Sequence, residues 1–114
     1  MLRLKRVYDP PSAEDGYRIL IDRLWPRGLK REAADIDLWL KGIAPSHELR
    51  RWFGHDPERW EEFQSRYRKE LAAREPLWRE LLARSRKGRV TLVYAAKDTR
   101  HNDAVALKSF LADK

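Results

Sequence analysis

The segment YRILIDRLWPRG, from Tyr17 to Gly28, constrains the fold of this chain more than any other. Ile19, Leu20 and Ile21 follow one another without a polar break. Such runs belong to strands covered on both faces, as in parallel sheets. The run then turns abruptly into Asp22, Arg23, Trp25, Pro26 and Arg27. Core packing does not require an acid, two guanidinium groups and an indole at a strand end. In open α/β sheets, the crevice beyond the carboxyl ends of the strands is where ligands bind. A purely structural reading stands beside this one: an Asp22–Arg23 salt bridge, a core-anchoring Trp25 and a plain Pro-Arg-Gly turn. The density of residue types that do not pack favours a site.

Two further strands are expected. Arg89–Ala96 sets Val90, Leu92 and Tyr94 against Thr91 and Val93, and Leu2–Tyr8 alternates more weakly. Asp9–Gly16, with two prolines and an Asp-Gly pair, reads as a connector. Asp35–Ile43 fits both a strand and a helix and is expected to be short or irregular. Ser46 is a good N-cap for a short helix carrying Leu49, Trp52 and Phe53, which Gly54 stops. Asp56 and Pro57 open the next helix, Pro57–Arg74, whose Trp60, Phe63, Tyr67 and Leu71 recur at three and four. Leu77–Arg86 and Asn102–Ala112 complete the helices. Strands separated by helices imply right-handed crossovers and parallel pairing. The expectation is therefore a small single α/β domain over residues 1–114, with about three strands, mostly parallel, and four to five helices in two or three layers.

Composition narrows the chemistry. The chain has no cysteine, which excludes disulfides, thiolate catalysis and cysteine zinc sites. His47, His55 and His101 form no i, i+4 pair, so no metal site is expected. No glycine-rich phosphate loop of either common kind is present, and no cofactor is expected. Neither His47 nor His55 has a nearby serine or aspartate partner at a recognised spacing, so a hydrolase triad is not expected. No long apolar run marks a signal peptide or a membrane span, so a cytoplasmic location, no membrane partner and a monomer or homodimer are expected. Lysine and arginine number 25 against 18 acids, a net charge of +7. The excess lies in the two terminal thirds, and residues 76–114 carry nine cations against four acids. Such a balance attracts phosphates and polyanions.

Parallel pairing brings the ends of the second and third strands together. One end offers Asp22, Arg23, Trp25 and Arg27; the other offers Tyr94, Lys97, Asp98, Thr99 and Asn102; a parallel first strand adds Tyr8 and Asp9. Arg23, Arg27 and Lys97 suit an anion, arginine in particular a bidentate phosphate. Trp25 offers a stacking surface. Asp22, or the Lys97-Asp98 pair, can orient a polar group or act as acid and base, since burial and charged neighbours move such groups. Asp98 or Thr99 can equally be the N-cap of the last helix. The cluster Arg84-Ser85-Arg86-Lys87-Gly88-Arg89 falls at the opposite end of the third strand, as a solvated helix end or a contact for nucleic-acid phosphates.

Four stretches, KRVYDPP, DGYRILIDRLWPRGL, WLKGIAPSHELRRWFGHDPERWEEF and VTLVYAAKDTRHNDAVALKSFL, resemble the YeaO-like family of small bacterial and archaeal proteins. The likeness covers nearly the whole chain, and DRLWPRG together with YAAKD is specific. The resemblance implies a compact α/β domain and a set of motif residues that includes Arg6, Tyr8, Asp22, Arg23, Trp25, Arg27, Lys97, Asp98 and Asn102. It brings no established reaction.

Three functions follow as expectations. The first is a crevice for an anionic, phosphate-bearing or nucleotide-like small molecule, with Asp22, Asp98 and Lys97 as candidate catalytic groups and Arg6, Tyr8, Arg23, Trp25, Arg27 and Asn102 as ligand-binding groups. The second is a nucleic-acid-binding module using the basic surface. The third is a protein-interaction module, which requires an exposed apolar patch around Trp39 and Trp52.

Overall fold

Four parallel strands run in the order β1-β4-β2-β3: β1 (Leu2–Arg6), β2 (Tyr17–Leu20), β3 (Leu38–Trp39) and β4 (Val90–Tyr94). The computed structural model describes residues 1–114. Five helices accompany the sheet: α1 (Arg31–Ala34), α2 (His47–Phe53), α3 (Trp60–Ala72), α4 (Glu75–Lys87) and α5 (Asp103–Ala112). The central β4 is buried at all five positions, as its apolar sequence demands. β2 ends at Leu20, four residues before the expected Leu24, because the acid and cations after Ile21 leave the ladder. The ambiguous segment before Ile43 supplies a fourth strand of two residues, pairing Leu38 with Ile19 and Trp39 with Leu20.

Alternation along the strands divides the interior. Ile19, Val90, Leu92 and Tyr94 face a layer of helices α2–α5, where Phe63, Tyr67 and Leu71 of α3 and Trp78 and Leu81 of α4 complete the main core. Leu20 and Val93 face the other way, into a thinner cover made by Trp25, Leu29, Ile36 and Trp39. That side also holds a buried polar cluster. Arg18, only 2% exposed, lies 2.6 Å from Asp15 and donates to the carbonyls of Ala34 and Asp35. Thr91 donates to the Asp15 carbonyl at 2.7 Å. One fixed charge on β2 thus ties the β1–β2 connector and the end of α1 to the sheet.

The caps show why the helices begin where they do. The Ser46 hydroxyl accepts from the Leu49 amide, and Gly54 closes α2 in the left-handed region at φ 53°. The expected Pro57–Arg74 helix is divided: Asp56 caps a 3-10 turn at Pro57–Arg59 that leads into α3. No helix is long and apolar enough to cross a membrane.

Candidate functional site

Beyond Ile21 the sheet splays. The Ile21 amide still reaches the Val93 carbonyl, and the Val7 amide the Tyr94 carbonyl. The next acceptor is a side chain, with the Ala95 amide donating to Asp22 Oδ2 at 2.9 Å. The chain leaving β2 turns away through Leu24–Arg27. Between it, the exit of β4, α2 and the start of α5 lies a cleft of about 620 Å3. That is the size of a small-molecule site, at the carboxyl ends of parallel strands.

Tyr8, Asp22, Arg23, Trp25, Arg27, Lys97, Asp98 and Asn102 all line this cleft. Parallel pairing of neighbouring strands brings them together from three separate stretches of sequence. Arg6 is not among the lining residues. It ends β1 beside the exit of β4, where Ala95 and Ala96 have left the ladder, and its guanidinium serves their carbonyls at 3.4 and 3.0 Å. Other residues line the cleft with part of their chemistry already engaged. Arg23 donates to the carbonyls of Ala44 and Pro45 and pins the β2 exit to the start of α2. Trp25 donates its indole N–H to the Leu29 carbonyl at 2.7 Å, meets Trp39 edge-on and lies under the Arg31 guanidinium. Tyr8 donates its hydroxyl to the Arg27 carbonyl at 2.9 Å.

The elbow before α5 is organised differently from the expectation. Neither Asp98 nor Thr99 caps the helix. Asn102 does, its Oδ1 accepting from the Val105 amide while its Nδ2 donates to the Asp98 carbonyl. Asp98 instead closes the elbow, accepting from the amides of Arg100 and His101 and meeting His101 Nδ1 at 2.9 Å. The Arg100 amide, followed by the His101 side chain, holds the Asp98 carboxyl below the ordinary carboxylate range.

The structure adds residues to the site that sequence reasoning missed: Arg50 and Phe53 from α2, His55 after it, Phe63 from α3, His101 and Asp103. Asp103 matters most. As the first residue of α5 it reads in the sequence as a helix-opening acid, a common surface feature. Its carboxyl instead meets that of Asp22 in hydrogen-bond contact. Burial drives the Asp103 carboxyl well above the ordinary carboxylate range, and the charge and hydrogen bond of Asp22 push the same way. Burial raises Asp22 as well, against the hydrogen bonds from Asp103 and the Ala95 amide and against the Arg50 charge. Burial and the neighbouring carboxyl thus both favour the protonated form of the pair, that of Asp103 most strongly. The signal available in sequence was an acid directly after a helix cap at a strand's carboxyl end, opposite Asp22.

The lining carries Arg23, Arg27, Arg50 and Lys97 against Asp22, Asp98 and Asp103. The cleft is net positive. Arg27, Arg50 and Lys97 take part in none of the chain's ion pairs and stand exposed. The expected apolar patch at Trp39 and Trp52 is absent: both indoles are half-buried, one beneath Arg31 and Lys41, the other beneath Arg59 and Arg66.

The sequence profile described as the inactive DUF488-N3 subclade matches residues 1–114. The chain is 44% identical over 110 residues to the uncharacterised protein YeaO of Escherichia coli (strain K12), covering 96% of each. It is 39% identical over 110 residues to the uncharacterised protein Rv3073c of Mycobacterium tuberculosis (strain ATCC 25618 / H37Rv), covering 96% of this chain and 92% of that protein. No solved structure matches. The chain belongs to this subclade, the YeaO-like proteins.

Proposed function

We propose that this YeaO-like protein binds a small phosphate-bearing anion in the cleft at the carboxyl ends of β1, β4 and β2. One observation carries the reading: three cations without an ion-pair partner, Arg27, Arg50 and Lys97, line one cleft of about 620 Å3. Free guanidinium and ammonium groups facing a partly enclosed space lower the energy of an anion there more than on open surface, because water screens them less. The description of the subclade as inactive supports binding without turnover, with Asp22 and Asp98 as orienting groups.

Thermal stabilisation by inorganic phosphate, sugar phosphates, nucleotides and oligonucleotides tests this reading. A ligand at 100 times its Kd stabilises by about 2.7 kcal/mol. The expected result is a shift from small phosphate compounds that Arg27→Ala and Lys97→Ala each reduce by about half or more. A shift from oligonucleotides alone, kept in both variants and erased by salt, would replace the reading with a nucleic-acid surface at Arg84, Arg86, Lys87 and Arg89, which lie exposed at the opposite end of β4.

A further inference from the structure

Tyr8 is held in place as a core residue would be, yet it is exposed. Three large apolar residues of the chain are exposed: Met1, Tyr8 at 42% and Leu24 at 65%, and the last two both line the cleft. Of the Tyr, Trp and Phe rings in the lining, Tyr8 alone is exposed; Trp25 is half-buried, and Phe53 and Phe63 are buried. The Tyr8 hydroxyl donates to the Arg27 carbonyl at 2.9 Å. The Arg6 guanidinium lies over one face, 5.3 Å from the ring centre, and is itself fixed by the carbonyls of Ala95 and Ala96. With that face covered and the hydroxyl engaged, the exposure that remains belongs to the opposite face and the ring edge.

A tyrosine on open surface loses rotamer freedom when a partner stacks on it. Here the hydroxyl bond and the guanidinium restrict the ring before any ligand arrives, so stacking costs less. A flat π-system is the matching chemistry, and nucleobases stack on such platforms whatever their identity. The platform is also tied to the cations of the cleft. The carbonyl that holds the Tyr8 hydroxyl belongs to Arg27, and a carbonyl that holds Arg6 belongs to Ala96, the residue before Lys97. The same bonds thus set an aromatic face beside the backbone that carries both exposed cations. The cleft, at about 620 Å3, has the size for one small ligand.

We propose that the ligand is a mononucleotide, its base stacked on the open face of Tyr8 and its phosphate held by Arg27 and Lys97. The proposal rests on the anion-binding reading above and adds the identity of the ligand's other end.

Calorimetric titration of the intact protein with AMP, CMP, ribose 5-phosphate, inorganic phosphate and a 5′-phosphorylated tetranucleotide tests it. The expected result is AMP binding about fivefold or more tightly than ribose 5-phosphate, the scale of one stacked base. CMP should share the gain, since every base has a flat face. Tyr8→Leu should bring AMP down to the affinity of ribose 5-phosphate, and Tyr8→Phe should keep the preference. Both ligands carry the same phosphate, so the ratio of their affinities cancels any effect of the lost hydroxyl bond on Arg27. Melting curves establish that both variants are folded, and the comparison of ligands on the unaltered protein stands without them. AMP and ribose 5-phosphate binding equally, or Tyr8→Leu keeping the preference, overturns the stacked base and leaves the anion site standing. The tetranucleotide binding more tightly than AMP overturns the mononucleotide in favour of a strand end. Silence from every probe overturns the anion site and this assignment with it.

Discussion

Asp22 and Asp103 meet carboxyl to carboxyl on the cleft floor, although one leaves the end of β2 and the other opens α5. β2 and β4 are neighbours, so both carboxyls emerge at one end of the sheet. Burial raises both carboxyls, and every proton they retain adds to an excess of cations that the lining already has, Arg23, Arg27, Arg50 and Lys97 against three carboxyls.

Asp103→Asn should stabilise the protein at alkaline pH. The folded Asp103 holds its proton far more tightly than an unfolded aspartate, whose pKa is about 3.9. Its full stabilising share is present only below the unfolded value and is lost as pH rises through the raised folded value. Each pH unit in that interval costs about 1.4 kcal/mol. Denaturation at pH 8 should therefore show the variant above the parent, and the gap should close toward pH 4. A variant less stable than the parent at pH 8 would mean that folding does not raise the Asp103 carboxyl.

Arg27→Ala and Lys97→Ala should each weaken phosphate binding by about tenfold or more, the range of a charge-assisted hydrogen bond. Both side chains are exposed and outside every ion pair, so unliganded melting temperatures should not move. A drop in stability without loss of binding would give these side chains a structural role instead.

Asp15→Ala should cost about 3–5 kcal/mol, because it leaves the buried Arg18 charge without its carboxylate. Burial opposes ionisation of Asp15, yet the Ser12 amide, Lys5 and Arg18 together hold its carboxyl below the ordinary range. Its stabilising share is complete above the unfolded pKa and is lost as pH falls through the lowered folded value. Urea titrations of parent and variant should therefore converge in acid. Replacing both partners, as Asp15→Leu with Arg18→Met, should recover much of the loss.

Gly16→Ala should destabilise by more than the roughly 1 kcal/mol of backbone strain at a left-handed position. Gly16 sits at φ 64°, and an added Cβ would lie 2.5 Å from the Arg89 carbonyl oxygen. The Tyr17 amide donates to that carbonyl at the start of the β2–β4 pairing, so relief requires moving the ladder. An unchanged melting temperature would refute this.

The sequence by itself determined the features that depend on near neighbours. The spacing of Trp60, Phe63, Tyr67 and Leu71 specifies a helix because residues three and four apart share one face. Ser46 and Gly54 bound α2 because their capping bonds reach only across a turn. The apolar run of β4 marks a covered parallel strand, and the polar burst after Ile21 marks the end of β2 that opens on the cleft, since both are local contrasts in polarity. Tertiary structure decided what depends on distant partners. Arg18 reads as an ordinary strand cation until Asp15 and the end of α1 close over it. Arg6 reads as a strand-end cation, and folding sets its Nε and Nη2 on the splayed carbonyls of Ala96 and Ala95. Asp103 reads as a helix-opening acid until the β2–β4 pairing carries Asp22 against it. Each residue keeps its intrinsic chemistry, but its protonation and its free hydrogen bonds are set by groups the chain brings close only on folding.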